Sequence, residues 1–291
     1  LSQYTNNKKI NLPKSPLRRN GLTKSFIRTS IGEICVEKNF DQSDNPLFII
    51  PPIGGSTKTV NYLSKGLSEK TDLLIIDLPG HGESVKNFKE SSVLKAFNKA
   101  VRDVINHHEI EISKLRLMII NHPGCLFEFI DENKSLLNQL ILIEPWVFDI
   151  EMNENFKKNG VPEVSIEWHG GHLNQYWHMV RDSKLFWPWY NSTIDGIMDF
   201  NPQLDEKQIQ TEVTELIRSE PNWRNAIQEL LENSLMNDLR TYGYDPNDKK
   251  ITLCSRIHHP IQMIADPNGR YKYLTLDEEI NNWSSNLERI I

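Results

Sequence analysis

Short, continuous apolar runs alternate with amphipathic helical patterns in the first half of the chain. Such runs are typical of strands buried on both faces of a sheet, and they occur at residues 47–50, 73–76, 115–120 and 140–143. Apolar residues at helical spacing separate them, most clearly over 93–105, where Ser91 or Ser92 is placed to cap a helix. Strands separated by helices predict βαβ units, and hence a mostly parallel sheet flanked by helices.

The pattern changes at both ends of this region. Weakly alternating runs at 26–29 and 34–37 predict an antiparallel edge, while 251–254 and 261–264 predict later strands before a final helix over 276–290. Between them, helical patterns and tryptophan dominate. The chain is therefore predicted to divide into three parts: a polar N-terminal tail at 1–22, an α/β core at 23–149 and 246–291, and an inserted helical cap at 150–245.

Composition narrows the function classes. The 291 residues carry a net charge of −6, which disfavours a nucleic-acid partner because phosphate binding needs a basic face. No stretch approaches the roughly 20 apolar residues of a membrane span, and the polar first residues do not resemble a secretory signal. The three cysteines form no CxxC pair and suit reduced thiols. We therefore expect a cytoplasmic protein without a membrane partner.

No metal or cofactor is predicted. The histidines and cysteines lack zinc-ligand spacing, and neither a GxGxxG nor a GxxxxGK loop occurs.

Three segments in order resemble the α/β-hydrolase superfamily. Residues 77–84 read DLPGHGES and look like the family's DxPGxGxS turn, and residues 51–56, PPIGGS, stand in the place of its oxyanion loop. Residues 121–125, NHPGC, fall where the GxSxG nucleophile elbow is expected. The resemblance implies the α/β-hydrolase fold with a helical cap, and residues 169–190 are similar to the cap of some bacterial members that act on small organic molecules.

This register places Pro123 at the nucleophile position. Proline has no nucleophilic atom, and its ring fixes φ near −65°, whereas the elbow needs a positive φ, so Gly124 is expected to supply it. The base that the resemblance implies is missing as well, because His258 and His259 precede the strand predicted at 261–264 and no histidine follows Asp266. Hydrolysis by a Ser-His-Asp triad is therefore not expected.

Three side chains are the candidate catalytic groups. His122, beside the expected apex, can act as acid or base, although a structural role is the alternative. Glu144 ends a buried strand at the sheet edge where sites form, and a carboxylate beside Trp146 is expected to have a raised pKa; a satisfied strand-end carboxylate is the alternative. His172, near the start of a cap helix, is expected to reach the pocket unless it serves only that helix start.

Substrate contacts are predicted from backbone and aromatic groups. The N–H groups of three residues can face an oxygen that carries negative charge: Ile53, Gly54 and Gly124. Aromatic side chains are expected to line an apolar pocket: Trp146, Tyr176, Phe186 and Trp187.

Three functions remain open on this reasoning. The first is an enzyme that performs a non-hydrolytic reaction, of the cyclase, lyase or isomerase type, on a hydrophobic small molecule. The second is a non-catalytic binding protein on the same fold. The third is a hydrolase with an unorthodox nucleophile, for which Cys125 at the start of a helix is the candidate because a helix N-terminus lowers a thiol's pKa. The oligomeric state is not indicated.

Overall fold

A computed structural model describes residues 18–198, 204–233, 250–256, 272–277 and 279–291. Its nine strands form one sheet in the order β1-β2-β3-β5-β4-β6-β7-β8-β9. The strands are β1 Arg18–Arg19, β2 Leu22–Arg28, β3 Glu33–Lys38, β4 Leu47–Ile50, β5 Leu73–Ile76, β6 Arg116–Ile120, β7 Gln139–Ile143, β8 Ile251–Arg256 and β9 Lys272–Leu276. The first three pair antiparallel and β4 to β9 pair parallel, so the predicted α/β architecture with an antiparallel edge is confirmed.

Helices connect the parallel strands. They are α1 Asn61–Leu67, α2 Val93–His107, α3 Phe127–Asn133, α4 Ile150–Asn159, α5 Gly171–Asp182, α6 Glu206–Arg218, α7 Asn222–Glu232 and α8 Trp283–Leu287. Four of these, α4 to α7, lie between β7 and β8, in the segment expected to be a cap. Residues 1–17 and 234–249 lie outside the described residues, so the division into tail, core and cap stays a prediction.

Alternation along the central strands explains why both faces of the sheet are covered. In β4, Phe48 and Ile50 belong to one apolar cluster, while Leu47 and Ile49 belong to the cluster on the other face. All four side chains are fully buried. A strand with two buried faces needs apolar residues at every position, which is why this strand is a continuous apolar run.

The C-terminal region differs from the expectation. Leu276 ends strand β9 instead of beginning a long helix, and the helix that follows is confined to Trp283–Leu287. The parallel pairing of β9 with β8 supplies the hydrogen bonds that place this segment in the sheet, and such non-local pairing overrides local helical spacing. The strand predicted at 261–264 lies outside the described residues.

A carboxylate of α7 ties this helix to the start of α2. Glu229 of α7 accepts hydrogen bonds from Ser92 Oγ (2.6 Å), Val93 N–H (2.8 Å) and Leu94 N–H (3.2 Å) at the start of α2. The first N–H groups of a helix lack partners within it, and the helix dipole favours a negative charge there. Glu229 therefore stabilises α2 and fixes α7 against it.

Replacing Glu229 by glutamine is expected to lower the free energy of unfolding by about 1 to 2 kcal/mol, because the charge and part of the hydrogen bonding are lost. Urea unfolding measures the effect. Glu232→Gln is the matched control, since Glu232 is an exposed residue in the last turn of the same helix. Equal stability of the two variants would show that the contact with α2 contributes nothing.

Candidate functional site

A cavity of about 190 Å³ lies at the carboxyl ends of the parallel strands. Its walls combine the 52–60 loop, the ends of β6, β7 and β8, and helices α5, α6 and α7. The wall is mainly apolar and rich in aromatic rings: Tyr62, Trp146, Phe156, Trp189, Trp223 and Trp283. Ligand sites in open α/β sheets are typical of this edge, so the cavity is the candidate site.

The sharp turn after β6 has its positive φ at Asn121 (φ 64°). Asn121 N–H donates to Ile143 O (2.8 Å), and Trp146 N–H donates to Asn121 O (2.6 Å), so the neighbouring strand end holds this conformation. Asparagine tolerates left-handed backbone better than other residues with a side chain. The expectation that Gly124 supplies the positive φ is wrong.

Pro123 does not lie at the apex of this turn. It is buried and starts a short 3-10 helix, Pro123–Leu126, where a missing N–H and a fixed φ are well tolerated. The residue with positive φ in this turn is Asn121, and its half-buried side chain lines the cavity. The turn therefore presents a carboxamide to the cavity.

His122 is buried in the wall as a neutral imidazole. Its Nδ1 accepts a hydrogen bond from Ile53 N–H (3.2 Å), which leaves the ring proton on Nε2. Burial lowers the pKa of His122 to about 3. Nε2 is covered by protein atoms and has no hydrogen-bond partner in the described part of the chain. The ring packs edge-on against Trp146, with centroids 4.4 Å apart.

Two of the three expected backbone donors are not available to a ligand. Ile53 N–H is engaged by His122, although Ile53 lines the cavity, and Gly124 is buried away from the lining. Gly54 differs, because it lines the cavity with φ at +88° and its N–H has no partner among the residues described here. The amide of His122 is also used, since it donates to Ile120 O (2.8 Å).

Replacing Gly54 by alanine is expected to cost about 1 to 3 kcal/mol of unfolding free energy. A Cβ at this position would lie 2.5 Å from Leu216 Cδ1, and the φ of +88° strains any L side chain. Gly170→Ala is the control, because Gly170 has a similar φ of +80° but its nearest neighbour would be 3.7 Å away. Thermal or urea unfolding of both variants separates the cost of crowding from the cost of backbone strain, which the two variants share. If both variants lose the same unfolding free energy, the expected crowding against Leu216 is wrong.

Glu144 and Arg256 form a bidentate ion pair in the cavity wall. Arg256 Nε donates to Glu144 Oε1 (2.6 Å) and Nη2 donates to Oε2 (3.1 Å). Arg256 ends β8 and Glu144 directly follows the adjacent strand β7, which brings their side chains to one edge. The raised pKa expected for Glu144 stays a prediction, and the guanidinium in direct contact opposes it because it stabilises the ionised carboxylate.

The remaining predicted residues lie outside the cavity lining. His172 Nδ1 accepts from Glu167 N–H (3.2 Å), so this ring closes the loop before α5. Tyr176 is buried and donates to Glu220 Oε1 (2.5 Å). Phe186 pairs with Ile197 through an isolated β-bridge, and Trp187 packs behind Trp146, with ring centroids 5.2 Å apart.

Sequence reasoning missed several residues of the wall. Arg256 follows the strand predicted at 251–254. Its place near Glu144 could have been inferred, because the carboxyl ends of parallel strands meet at one edge of the sheet. Tyr62 lies in a helical pattern that gives no sign of the cavity. Burial raises the pKa of the Tyr62 phenol, and the Glu212 and Glu144 carboxylates raise it further. Neither Tyr62 Oη nor the Asn121 carboxamide is hydrogen-bonded to another described residue.

Cys125 has neither the access nor the acidity of a nucleophile. Its side chain is buried and does not belong to the lining, and burial raises the pKa of its thiol. The expected lowering by a helix N-terminus is therefore wrong, since desolvation of a thiolate dominates in an apolar site. The lining hydroxyls of Thr59 and Ser183 donate to backbone carbonyls, at 2.7 Å in each case.

The DLPGHGES segment, residues 77–84, fixes the position of the 52–60 loop in the cavity wall. Asp77 accepts from Thr57 N–H (2.7 Å) and Glu83 N–H (2.8 Å), and thus joins its own turn to the 52–60 loop. His81 is fully buried and its Nδ1–H donates to Pro79 O (3.0 Å); burial lowers the pKa of His81 to about 4. These residues organise turns.

In the described ranges, no group of three or more His, Cys, Asp or Glu side chains is placed to hold a metal ion. The same residues contain no helix that combines the length and apolar character of a membrane span.

No protein-family model and no curated protein matches the sequence. Solved structures do match. A 1H-3-hydroxy-4-oxoquinoline 2,4-dioxygenase superposes with a TM-score of 0.64 at 10% identity, over 91% of this chain and 96% of that one. Epoxide hydrolase A from Mycobacterium thermoresistibile gives 0.62 at 9% identity, over 93% and 98%.

A bacterial membrane phospholipase A gives a TM-score of 0.61 at 14% identity, over 91% of this chain and 82% of the other. These three proteins are named for different reactions, so the likeness concerns architecture and not chemistry. The chain has the α/β-hydrolase fold.

Proposed function

We propose that this protein acts on a hydrophobic small molecule by a non-hydrolytic reaction of the cyclase, lyase or isomerase type. The observation that carries the proposal is the carboxamide of Asn121 at the apex of the turn after β6, beneath an apolar cavity. A carboxamide cannot form an acyl-enzyme, and the lining hydroxyls of Thr59 and Ser183 are bonded to carbonyl oxygens without an imidazole beside them.

Among the described cavity residues, Glu144 is the best candidate for moving a proton. His122 is unsuited, because one ring nitrogen accepts from Ile53 N–H and the other already carries the proton. An ionised Glu144, oriented by Arg256, can take a proton from a substrate carbon next to a carbonyl and return it to another carbon, which is an isomerisation. Gly54 N–H and the Asn121 carboxamide would then stabilise the enolate oxygen.

Ligand binding without turnover is the second candidate. The ion pair with Arg256 favours it, because both oxygens of Glu144 accept from the guanidinium and the carboxylate must give up part of this bonding to take a proton.

An acylating and a fluorophosphonate probe test the absence of a nucleophile. Intact-mass spectrometry should show no covalent adduct on the native protein, and Cys125→Ala should behave identically. A stoichiometric adduct on one serine or cysteine would contradict the proposal and restore hydrolysis.

A search for product distinguishes the non-hydrolytic enzyme from a protein that binds its ligand without turnover. Hydrophobic small molecules that raise the melting temperature are incubated with the protein and analysed by liquid chromatography and mass spectrometry. The enzyme proposal expects isomerised or cleaved product that Glu144→Gln abolishes, while Glu151→Gln, an exposed residue of α4, keeps full activity. Ligands recovered unchanged from the native protein would instead support binding without turnover.

A further inference from the structure

The charged side chains of the cavity wall are paired with one another. Arg256 pairs with Glu144 at 2.6 Å, and Lys184 pairs with Glu212 at 2.7 Å. The two pairs sum to zero charge, and the imidazole of His122 is neutral. Over the described part of the lining, an ionic ligand would meet no uncompensated counter-charge. It would lose its hydration without a matching ion pair, which is unfavourable.

The apolar part of the wall favours a flat ring. Four tryptophans contribute to it, and they come from different elements; Trp146 follows β7, for example, and Trp223 belongs to α7. Trp223 is held in place, because its Nε1–H donates to Glu220 Oε1 (2.7 Å). Aromatic rings prefer edge or offset contact with other aromatic rings, and a cavity of about 150 Å³ already accommodates benzene. At about 190 Å³, this cavity suits one or two rings.

Two polar side chains are available to such a ring compound, in addition to the Gly54 N–H. Tyr62 lies near Glu144 and Glu212, which oppose loss of its proton, so the phenol stays an O–H donor. The Asn121 carboxamide offers both a donor and an acceptor. Both side chains line the cavity, and neither is bonded to another residue within the described ranges.

We infer that the cavity selects an uncharged aromatic compound of one or two rings whose oxygen accepts a hydrogen bond from Tyr62 or Asn121. The inference rests on the proposed function and specifies its ligand class. Tyr62 is thereby a specificity-determining residue.

A naphthalene series that keeps the ring constant tests the inference: acetylnaphthalene is neutral, naphthoate is anionic and naphthylmethylammonium is cationic. Quenching of tryptophan fluorescence and titration calorimetry give the affinities. The neutral ketone is expected to bind at least about tenfold more tightly than either ion. An ion that binds as tightly as the ketone, or a series in which no member binds, would overturn the inference.

The Tyr62→Phe variant tests the polar contact. It is expected to weaken ketone binding about threefold to tenfold, the usual effect of one neutral hydrogen bond. Tyr190→Phe is the matched control, because the Tyr190 hydroxyl contacts Asn155 outside the cavity. Asn121→Gly removes the carboxamide and keeps the backbone conformation. If neither Tyr62→Phe nor Asn121→Gly alters affinity, the assigned donors are wrong. The probe-labelling and turnover measurements are independent of these outcomes and decide the proposed function separately.

Discussion

Lowering the pH from about 7 to about 4.5 is expected to reduce the free energy of unfolding by about 5 kcal/mol through two buried histidines. Burial lowers the pKa of His122 to about 3 and that of His81 to about 4, from an ordinary value of 6.5. Below 6.5 the unfolded chain binds protons that the folded protein excludes. Stability is therefore fully present above the unfolded pKa and is lost as the pH falls towards the folded values.

Urea unfolding at the two pH values measures this loss in the native protein and in His81→Asn/His122→Asn. Asparagine can keep a donor towards Pro79 O at one position and an acceptor for Ile53 N–H at the other, while it cannot titrate. The double variant should lose much less stability on acidification. His178→Gln, at an exposed position of α5, should follow the native protein. An unchanged pH dependence in the double variant would show that other groups are responsible.

Replacing Arg256 by leucine is expected to destabilise the protein by about 2 to 4 kcal/mol. The variant leaves the buried carboxylate of Glu144 without its bidentate partner, and an uncompensated charge at such a position is strongly unfavourable. The side chains are 21% and 10% exposed, so solvent screening holds the effect below that of a fully buried pair.

A double-mutant cycle tests the origin of this effect. Glu144→Gln combined with Arg256→Leu removes both charges, and the double variant should recover part of the lost stability. Arg102→Leu is the control, because the pair of Arg102 with Glu132 lies at the surface and should change stability by less than about 1 kcal/mol. Additive losses at positions 144 and 256 would mean that the two side chains are not coupled.

Much of the sheet was predictable from the sequence because burial on both faces leaves a local signature. The runs at 47–50, 73–76 and 140–143 are strands since every position needs an apolar side chain. The apex of the turn after β6 was not predictable in the same way. Sequence matching favoured Pro123, whereas the positive φ lies at Asn121, which is held by hydrogen bonds from β7 and the segment after it.

The candidate site was only partly predictable for the same reason. Glu144, Trp146, Ile53 and Gly54 were placed correctly in the wall because they follow strands at the carboxyl edge. The residues of the segment expected to form a cap were not, since the direction of a helical side chain depends on how its helix docks. His172 faces its own loop as a result, and the helix positions that do line the cavity carry Met179, Leu216 and other apolar residues without a chemical signature.

The contact of Glu229 with the start of α2 has a consequence for how a ligand gains access. Helix α7 is anchored to α2 by three hydrogen bonds. The backbone amides of α7 should therefore exchange slowly, as those of the sheet do. Helices α5 and α6 are joined in the same cavity wall by the Lys184–Glu212 pair, whose side chains are 29% and 21% exposed and therefore partly screened by solvent. Ligand entry should leave α7 in place, so amide exchange in α7 is expected to stay slow with and without a bound ligand.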